Sequence, residues 1–182
     1  MLEAPTQITH EDLATEAIAL IRQAGCEYGE IRLCRYRDRS LTAHDRSLSN
    51  LSDRVSSGFG IRVLHQGSWG FAASHRRSSA EVSRIVALAV EIAKGSHLTQ
   101  QTPVKLVPVE AYRDNYRTPI EIDPFTIPIE EQAELLLEIN ERLLGYGDRG
   151  IKKASSFLRF TQEEKTFAST EGSLITQTIY RS

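Results

Sequence analysis

The sequence predicts a mixed α and β domain, and two kinds of pattern support this. Three segments place apolar residues at helical spacing, and the segments around them alternate apolar and polar residues as strands do. The clearest single feature is a hairpin, with Phe59 to His65 and Ser68 to Ser74 folded back at Gln66-Gly67. Glycine at the second turn position can adopt the positive φ that a tight hairpin turn requires.

A short turn sets the register of this hairpin. It pairs Leu64 with Trp69, Arg62 with Phe71, Ile61 with Ala72 and Val63 with Gly70. Neither face of the hairpin is then polar, so we predict a central strand pair that is covered on both sides. We also expect Trp69 to be largely buried against Leu64 and either a helix or a second chain.

Three helices are predicted from apolar stripes and end signals. The first helix runs from Thr9, with Asp12 as a capping acid, to Gly25. The second begins at the capping box Ser78-Ser-Ala-Glu81, continues through Lys94 and stops at Gly95. The third runs from Pro128 to Gly145. The broad stripe of the second helix should lie flat on the sheet. In the third helix, Asn140 is predicted to be a hydrogen-bonded core or rim residue. The solvated face of that helix carries Glu134, Glu138 and Glu141.

The other extended segments are predicted with breaks between them. They are Glu30 to Arg37, Arg39 to Asp45, Leu48 to Val55, Ile151 to Thr161, Thr166 to Ser169 and Leu174 to Arg181. Residues 162–165 and 170–173 are predicted as turns. Residues 100–126 contain four prolines and are predicted as an extended connection with a short strand near Val104 to Val107.

Composition and charge exclude several classes of protein. The chain has 182 residues, of which 40% are hydrophobic and 25% charged, and a net charge of −2. These values are typical of one globular domain, or of one domain and a fragment of another. The net charge argues against a nucleic-acid binder held by phosphate contacts. We see no signal peptide and no apolar run near the ~20 residues of a membrane helix, so a cytoplasmic location is expected. Cys26 and Cys34 are accordingly predicted to be free thiols.

A search for catalytic constellations finds none. His10-Glu11 begins like a metalloprotease helix, but no second histidine follows at the required turn. The remaining histidines are predicted to be surface residues: His44, His65, His75 and His97. We therefore predict no catalytic, cofactor-binding or metal-binding residue in this chain, and no stoichiometric zinc.

Two further motifs have structural explanations. Gly145-Tyr-Gly-Asp-Arg-Gly150 matches the dinucleotide fingerprint in its letters, but it follows a helix and precedes a strand, whereas the fingerprint needs the opposite order. It is predicted to be a helix-to-strand turn. Four arginines also lie close together: Arg35, Arg37, Arg39 and Arg46. A solvated strand edge is favoured for them over an anion site.

Five groups of residues carry a family resemblance by their order and spacing. They are Tyr28-Gly-Glu-Ile-Arg32, Gly58-Phe-Gly-Ile-Arg-Val63, Gly67-Ser-Trp-Gly-Phe-Ala-Ala-Ser74, the helix Glu81 to Ala93, and Phe167-Ala-Ser-Thr-Glu-Gly-Ser173 with Gln177. This set resembles the N-terminal domain of the TldD/PmbA family, also known as modulators of DNA gyrase. The resemblance extends along nearly the whole chain, so residues 1–182 are expected to form one such N-terminal domain. The Trp-Gly-Phe-Ala form is closer to the TldD side than to the PmbA side.

The resemblance implies an α+β fold with two layers, a mostly antiparallel sheet and three main helices packed against it. It also implies a zinc metallopeptidase that acts in regulated proteolysis or in maturation of small peptides, as a homodimer or a TldD/PmbA-type heterodimer. The zinc motif of the family, a His-Glu-x-x-x-His helix with a later cysteine, belongs to its C-terminal domain. No position of this sequence matches that motif. The resemblance thus implies that this chain shapes the substrate cleft and the dimer, with zinc in a C-terminal domain absent from it.

Two functions remain open from the sequence. The chain is the N-terminal domain of such a peptidase, or it is a non-enzymatic peptide-binding or partner-subunit module. The last segment still alternates at Ser182, and this favours the first function. The length of the natural open reading frame would discriminate between them. Expected partners are a second subunit and a peptide or unfolded protein substrate, with neither nucleic acid nor membrane.

Overall fold

The computed structural model describes residues 8–182, which form three α-helices and a six-stranded sheet. The helices are α1 (His10–Gln23), α2 (Ser79–His97) and α3 (Ile129–Leu144). The strands are β1 (Tyr28–His44), β2 (Ser47–His65), β3 (Ser68–Ser74), β4 (Arg113–Arg117), β5 (Ser155–Ser169) and β6 (Leu174–Arg181). The strand order is β3-β2-β1-β5-β6-β4, in a mostly antiparallel open sheet. The α+β class and the three helices against the sheet are confirmed.

The start of α1 follows the predicted capping pattern. The Thr9 side chain accepts a hydrogen bond from the Asp12 backbone nitrogen at 3.1 Å. The Asp12 carboxylate in turn accepts one from the Thr9 nitrogen at 3.0 Å. Gly25, with φ +70°, follows the end of the helix, as expected of a residue that tolerates the left-handed region.

The end of α2 differs from its prediction. The helix continues through Gly95 to His97, so the stop predicted at Gly95 is wrong. Glycine permits a left-handed terminus but does not impose one, and this glycine keeps an ordinary helical conformation. At the other end, Ser78 accepts a hydrogen bond from the Glu81 nitrogen at 3.3 Å.

Three predicted strand breaks do not exist. The chain passes without interruption through residue 38 in β1, residues 56–58 in β2 and residues 162–165 in β5. Polar residues on the solvated face of a half-buried strand resemble turn residues locally, and only pairing with neighbouring strands distinguishes the two. The turn at residues 170–173 is confirmed, with Gly172 at φ +108°.

The proline-rich connection contains its strand at Arg113–Arg117, so the strand predicted at residues 104–107 is wrong. Pro103 and Pro108 flank that stretch and have no backbone N–H to donate to a strand ladder. Its first residue, Val104, instead donates to the Gly67 carbonyl oxygen at 2.8 Å.

The hairpin of β2 and β3 has the predicted register, with Leu64 paired to Trp69 and Arg62 to Phe71. Its two turn residues both have positive φ, as a type I′ turn requires: Gln66 at +51° and Gly67 at +72°. However, β3 is an edge strand, and Phe71 is 59% exposed. The prediction of a central pair covered on both faces is therefore wrong.

The chain divides into two compact units. The first comprises the residues up to Arg35 together with Ser57–Tyr116 and Glu164–Gln177. In it, α1 packs on α2, and α2 packs on β3. Its core is made of aliphatic side chains from both helices and the inner face of the strands, including Leu13, Ile21, Ile31, Leu33, Ile61, Val63, Val82 and Ile85.

The second unit comprises Tyr36–Ser56, Arg117–Glu163 and Thr178–Ser182. Its smaller core contains Leu41, Ala43, Ala133 and Leu136. Asn140 of α3 is fully buried, as predicted, but neither polar atom of its side chain has a hydrogen-bond partner within residues 8–182. Glu134, Glu138 and Glu141 of α3 are exposed as predicted, and Gly147–Arg149 forms a short 3-10 turn at the glycine-rich segment.

Candidate functional site

One face of the sheet in the first unit is not covered by its helices. Along β1, Ile31 and Leu33 belong to the core, and alternation places Glu30 and Arg32 on the opposite side. We define the open face as the side chains of Tyr28, Glu30, Arg32, Arg62, Trp69, Phe71 and Phe167. Charged and aromatic groups thus share a surface that helices do not shield.

The centre of the open face is the carboxylate of Glu30, a residue that is only 6% exposed. Its Oε2 accepts from the Tyr28 hydroxyl at 2.6 Å and lies 3.2 Å from Nη2 of Arg62. Its Oε1 lies 3.2 Å from Nη2 of Arg32. Burying a carboxylate costs free energy unless its charge is paired. Here two guanidinium groups and one hydroxyl group contact the same carboxylate.

Aromatic rings hold both arginines in place. The Arg62 guanidinium lies 4.6 Å from the centroid of the Trp69 ring, and Tyr28 meets that ring edge-on at 6.0 Å. The Arg32 guanidinium lies 5.5 Å from the centroid of Phe167. Stacking on a ring limits the rotamers of an arginine, so its remaining N–H donors are preorganised.

Trp69 is partly buried, with most of its surface shielded as predicted, but α2 lies on the other side of the strand from its ring. It faces Leu64 across the hairpin, as expected, and its ring contacts Tyr28 and Arg62. This arrangement follows from the topology, since α2 covers the Gly70 side of β3 and Trp69 points to the other side.

The chemistry of the open face is that of binding. Burial, together with the hydrogen bond to Glu30, raises the pKa of Tyr28, so its hydroxyl stays protonated and donates. Tyr28 and the two arginines are hydrogen-bond donors, the Glu30 carboxylate is engaged by all three, and no serine, cysteine or histidine belongs to the cluster. A shallow pocket adjoins it, lined by Arg32, Lys165, Phe167, Ile175 and Gln177.

Metal ligands do not converge anywhere in residues 8–182: no group of three His, Cys, Asp or Glu side chains there could hold an ion. Cys26 and Cys34 are both free and partly buried, and burial raises the pKa of the Cys26 thiol. His10 contacts Nη1 of Arg77 at 2.6 Å, and burial followed by that positive charge lowers its pKa.

The four other histidines are scattered, as predicted. His44, His75 and His97 are exposed, which confirms a surface position for these three. His65 is half-buried, and its Nδ1 has no hydrogen-bond partner in the described part of the chain, so the surface prediction is wrong for it. Alternation along β2 places His65 on the same face of the strand as Val63, a core residue.

The arginine group belongs to the second unit from Arg37 onward, and it is not a solvated edge. Arg39 is 5% exposed, and both it and Arg37 bind the Asp53 carboxylate. Arg39 also donates to Gln132 Oε1 at 3.3 Å and to the Ile127 carbonyl oxygen at 3.1 Å. The solvated-edge prediction fails for Arg35, Arg37 and Arg39, because β1 is an inner strand of the sheet and these side chains pair with Glu164 or Asp53. Arg46, in the turn after β1, is exposed.

Sequence analysis missed the Glu30 cluster. Part of the cluster could have been predicted from the sequence, because alternation places Tyr28, Glu30 and Arg32 on one side of a strand. What the sequence could not show is that Arg62, thirty residues further along the sequence, reaches the same carboxylate. The groups that carried the resemblance, Tyr28-Gly-Glu-Ile-Arg32 and the Trp69 segment, meet at this point.

Comparison with known proteins bears out the family resemblance of this chain. Residues 29–93 match the family model of PmbA/TldA metallopeptidase domain 1. That segment contains Glu30, Arg32, Arg62 and Trp69 of the open face. The resemblance to the TldD/PmbA family is therefore confirmed.

Two relatives are named as metalloproteases. One, from Methanocaldococcus jannaschii, is 27% identical over 93% of this chain and 37% of its own length. The other, from Synechocystis sp., is 25% identical over 85% of this chain and 32% of its own length. The chain thus spans about a third of the length of these two relatives.

Solved structures share the fold. A candidate modulator of DNA gyrase from Bacteroides thetaiotaomicron superposes with a TM-score of 0.73 at 14% identity, over 96% of this chain and 40% of that protein. TldE from Thermococcus kodakarensis gives a TM-score of 0.60 at 18% identity, over 90% of this chain and 36% of that protein. No helix within residues 8–182 has the length and apolar character to cross a membrane.

Proposed function

We propose that this chain is the substrate-cleft and dimer-shaping part of a TldD-like zinc metallopeptidase. The enzyme would act in regulated proteolysis or maturation of small peptides in the cytoplasm, as a homodimer or a TldD/PmbA-type heterodimer. The family match and the two metalloprotease relatives support the class of enzyme. The division of labour between this chain and the rest of the enzyme is our inference.

One observation carries the proposal. Residues of the matched segment gather on a face of the sheet where the Glu30 carboxylate is paired with two arginines that keep exposed N–H donors, and no metal-ligand group exists among the described residues. A domain built in this way contributes contacts to a substrate. A zinc-bound water and a carboxylate base would come from residues outside this chain.

The proposal is tested with the protein from its natural open reading frame, purified alone and with a candidate partner subunit. The substrate is a pool of unstructured peptides, and cleavage is followed by mass spectrometry. We expect hydrolysis that is lost on chelation and restored by zinc, while the 182-residue chain alone is inactive. Activity that survives metal removal contradicts the metallopeptidase assignment. So does a failure to cleave any peptide, whether or not the partner subunit is present.

A non-enzymatic binding module is the second candidate. The same open face favours it, since every group there is suited to binding. Under this function the full protein would retain peptides in a pull-down without cleaving them, and added zinc would change nothing. The peptide-pool experiment therefore separates the two candidates.

A further inference from the structure

We infer that Arg32 and Arg62 on the open face form a binding site for a peptide carboxylate next to an apolar side chain. The inference rests on the proposed function, because it names the class of peptide that the domain would hold. The carboxylate is that of an acidic side chain within the peptide.

The charges and free N–H donors of the two arginines are suited to binding an anion. Two guanidinium groups face the single carboxylate of Glu30, so these three side chains together carry one net positive charge. Glu171 places a negative charge near Tyr28, and Lys165 places a positive one beside Arg32 in the adjoining pocket. Each arginine uses one terminal nitrogen on Glu30, and a guanidinium has five N–H donors. The Arg32 and Arg62 side chains are 57% and 45% exposed, so an incoming carboxylate can reach their unused donors.

The geometry favours a carboxylate over a hydrated counter-ion. Glu30 pairs with both guanidinium groups, and these groups lie over the rings of Phe167 and Trp69. Side chains ordered in this way lose little further rotamer freedom on binding. Charge-assisted arginine–carboxylate hydrogen bonds are stronger than neutral ones.

An apolar contact lies beside the charge. Phe71 is directly opposite Arg62 on the neighbouring strand and is 59% exposed. A peptide with an acidic residue next to a large apolar residue would match both features. A nucleic acid is less well matched, because one excess charge neutralises few phosphates and the whole chain has a net charge of −2.

The test uses the only tryptophan of the chain, Trp69, as a reporter, because it stacks directly on Arg62. Ten-residue unstructured peptides with a central Leu-Asp-Phe, or with Leu-Asn-Phe as the matched control, are titrated against the 182-residue chain. We expect the aspartate peptide to change the emission and to bind at least about fivefold more tightly than the asparagine peptide. This preference should diminish with added salt.

Arginine variants then assign the site. Arg32→Gln should remove most of the preference for the aspartate peptide while leaving Trp69 and Arg62 in place. For Arg62→Gln, binding is measured by calorimetry, because this substitution removes the contact with the fluorescent Trp69 ring. Arg54→Gln, an exposed arginine of the second unit, is the matched control and should bind like the unaltered chain. Far-UV circular dichroism and thermal melting establish that each variant is folded.

Several outcomes would overturn the inference. Equal binding of the two peptides, or a preference that persists in folded Arg32→Gln and Arg62→Gln variants, contradicts it. So does tighter binding of a single-stranded oligonucleotide than of the aspartate peptide, or self-association in place of peptide binding. Cleavage of neutral peptides by the longer protein without any acidic preference would leave the proposed function standing and this inference refuted.

Discussion

Arg39 donates two hydrogen bonds to a single oxygen of Asp53, at 3.0 Å from Nε and 2.7 Å from Nη2. Arg37 binds the same carboxylate, through Nε to Oδ1 at 3.1 Å and Nη2 to Oδ2 at 2.9 Å. Both guanidinium groups also lie against Phe125, at 4.5 and 5.4 Å from its centroid. The buried Arg39 therefore depends on Asp53 for its counter-charge.

Replacing Asp53 by Asn should destabilise the protein by roughly 2–3 kcal/mol, because the buried Arg39 then loses its anionic partner. Chemical denaturation monitored by circular dichroism measures this. Asp148→Asn, at an exposed position, is the matched control and should stay within about 0.5 kcal/mol. Equal stabilities of the two variants would show that Asp53 does not hold Arg39.

The same pair predicts a pH dependence. The hydrogen bonds from Arg37 and Arg39, and then their positive charges, lower the pKa of Asp53 to about 2. The folded pKa is below the roughly 3.9 of an unfolded aspartate, so the stabilisation is full above about pH 4 and is lost as the pH falls toward 2. Melting temperatures measured across this range should fall less steeply for Asp53→Asn. Parallel curves would contradict the assignment.

Two glycines of the first unit should respond in opposite directions to alanine. A Cβ at Gly70 would collide with the Ala89 carbonyl oxygen and lie 2.6 Å from the Ala93 nitrogen, so Gly70→Ala should cost about 3 kcal/mol or more. Gly95 lies within α2 with open space around it, so Gly95→Ala should stabilise by about 0.5–1 kcal/mol. Urea denaturation tests both. A tolerated Gly70→Ala would mean that α2 does not lie directly on β3.

Trp69→Ala should cost about 2 kcal/mol, less than the roughly 3–5 kcal/mol of a fully buried tryptophan, because Trp69 is only partly buried. The loss comes from its contacts with Tyr28 and Arg62. Phe71→Ala, on the same strand and face but 59% exposed, should change stability by less than about 0.5 kcal/mol. Thermal melting compares the two, and a Trp69→Ala melt like that of Phe71→Ala would show that the ring contacts contribute nothing.

The chain is predicted to bind no stoichiometric zinc, because residues 8–182 contain no group of three potential ligands. Mass-spectrometric metal analysis of the purified 182-residue chain, after dialysis against zinc, should find well below one zinc per chain. One zinc per chain, retained against a weak chelator, would mean that ligands converge in a way the described structure does not show.

Local patterns in the sequence were sufficient for the helices and the hairpin. The capping box at Thr9, the apolar stripes and the turn at Gln66-Gly67 each depend on residues that are close together in the sequence. The structures that they form could therefore be predicted. The fold class and the family resemblance came from the order of such elements along the chain. The same reasoning misplaced the strand of the proline-rich connection and divided β1, β2 and β5, because strand continuity depends on partners distant in sequence.

By itself, then, the sequence determined which residue types alternate and where the chain can turn, since these are short-range properties of side-chain size, polarity and backbone freedom. Only the tertiary structure decided that β3 is an edge strand, that Arg39 is buried on Asp53, and that Arg62 meets Arg32 on the Glu30 carboxylate. Each of these depends on which strands become neighbours in the sheet. The candidate site is of this second kind, because an isolated Glu30 would be an ordinary surface carboxylate, and strand pairing converts it into the buried anchor of two arginines.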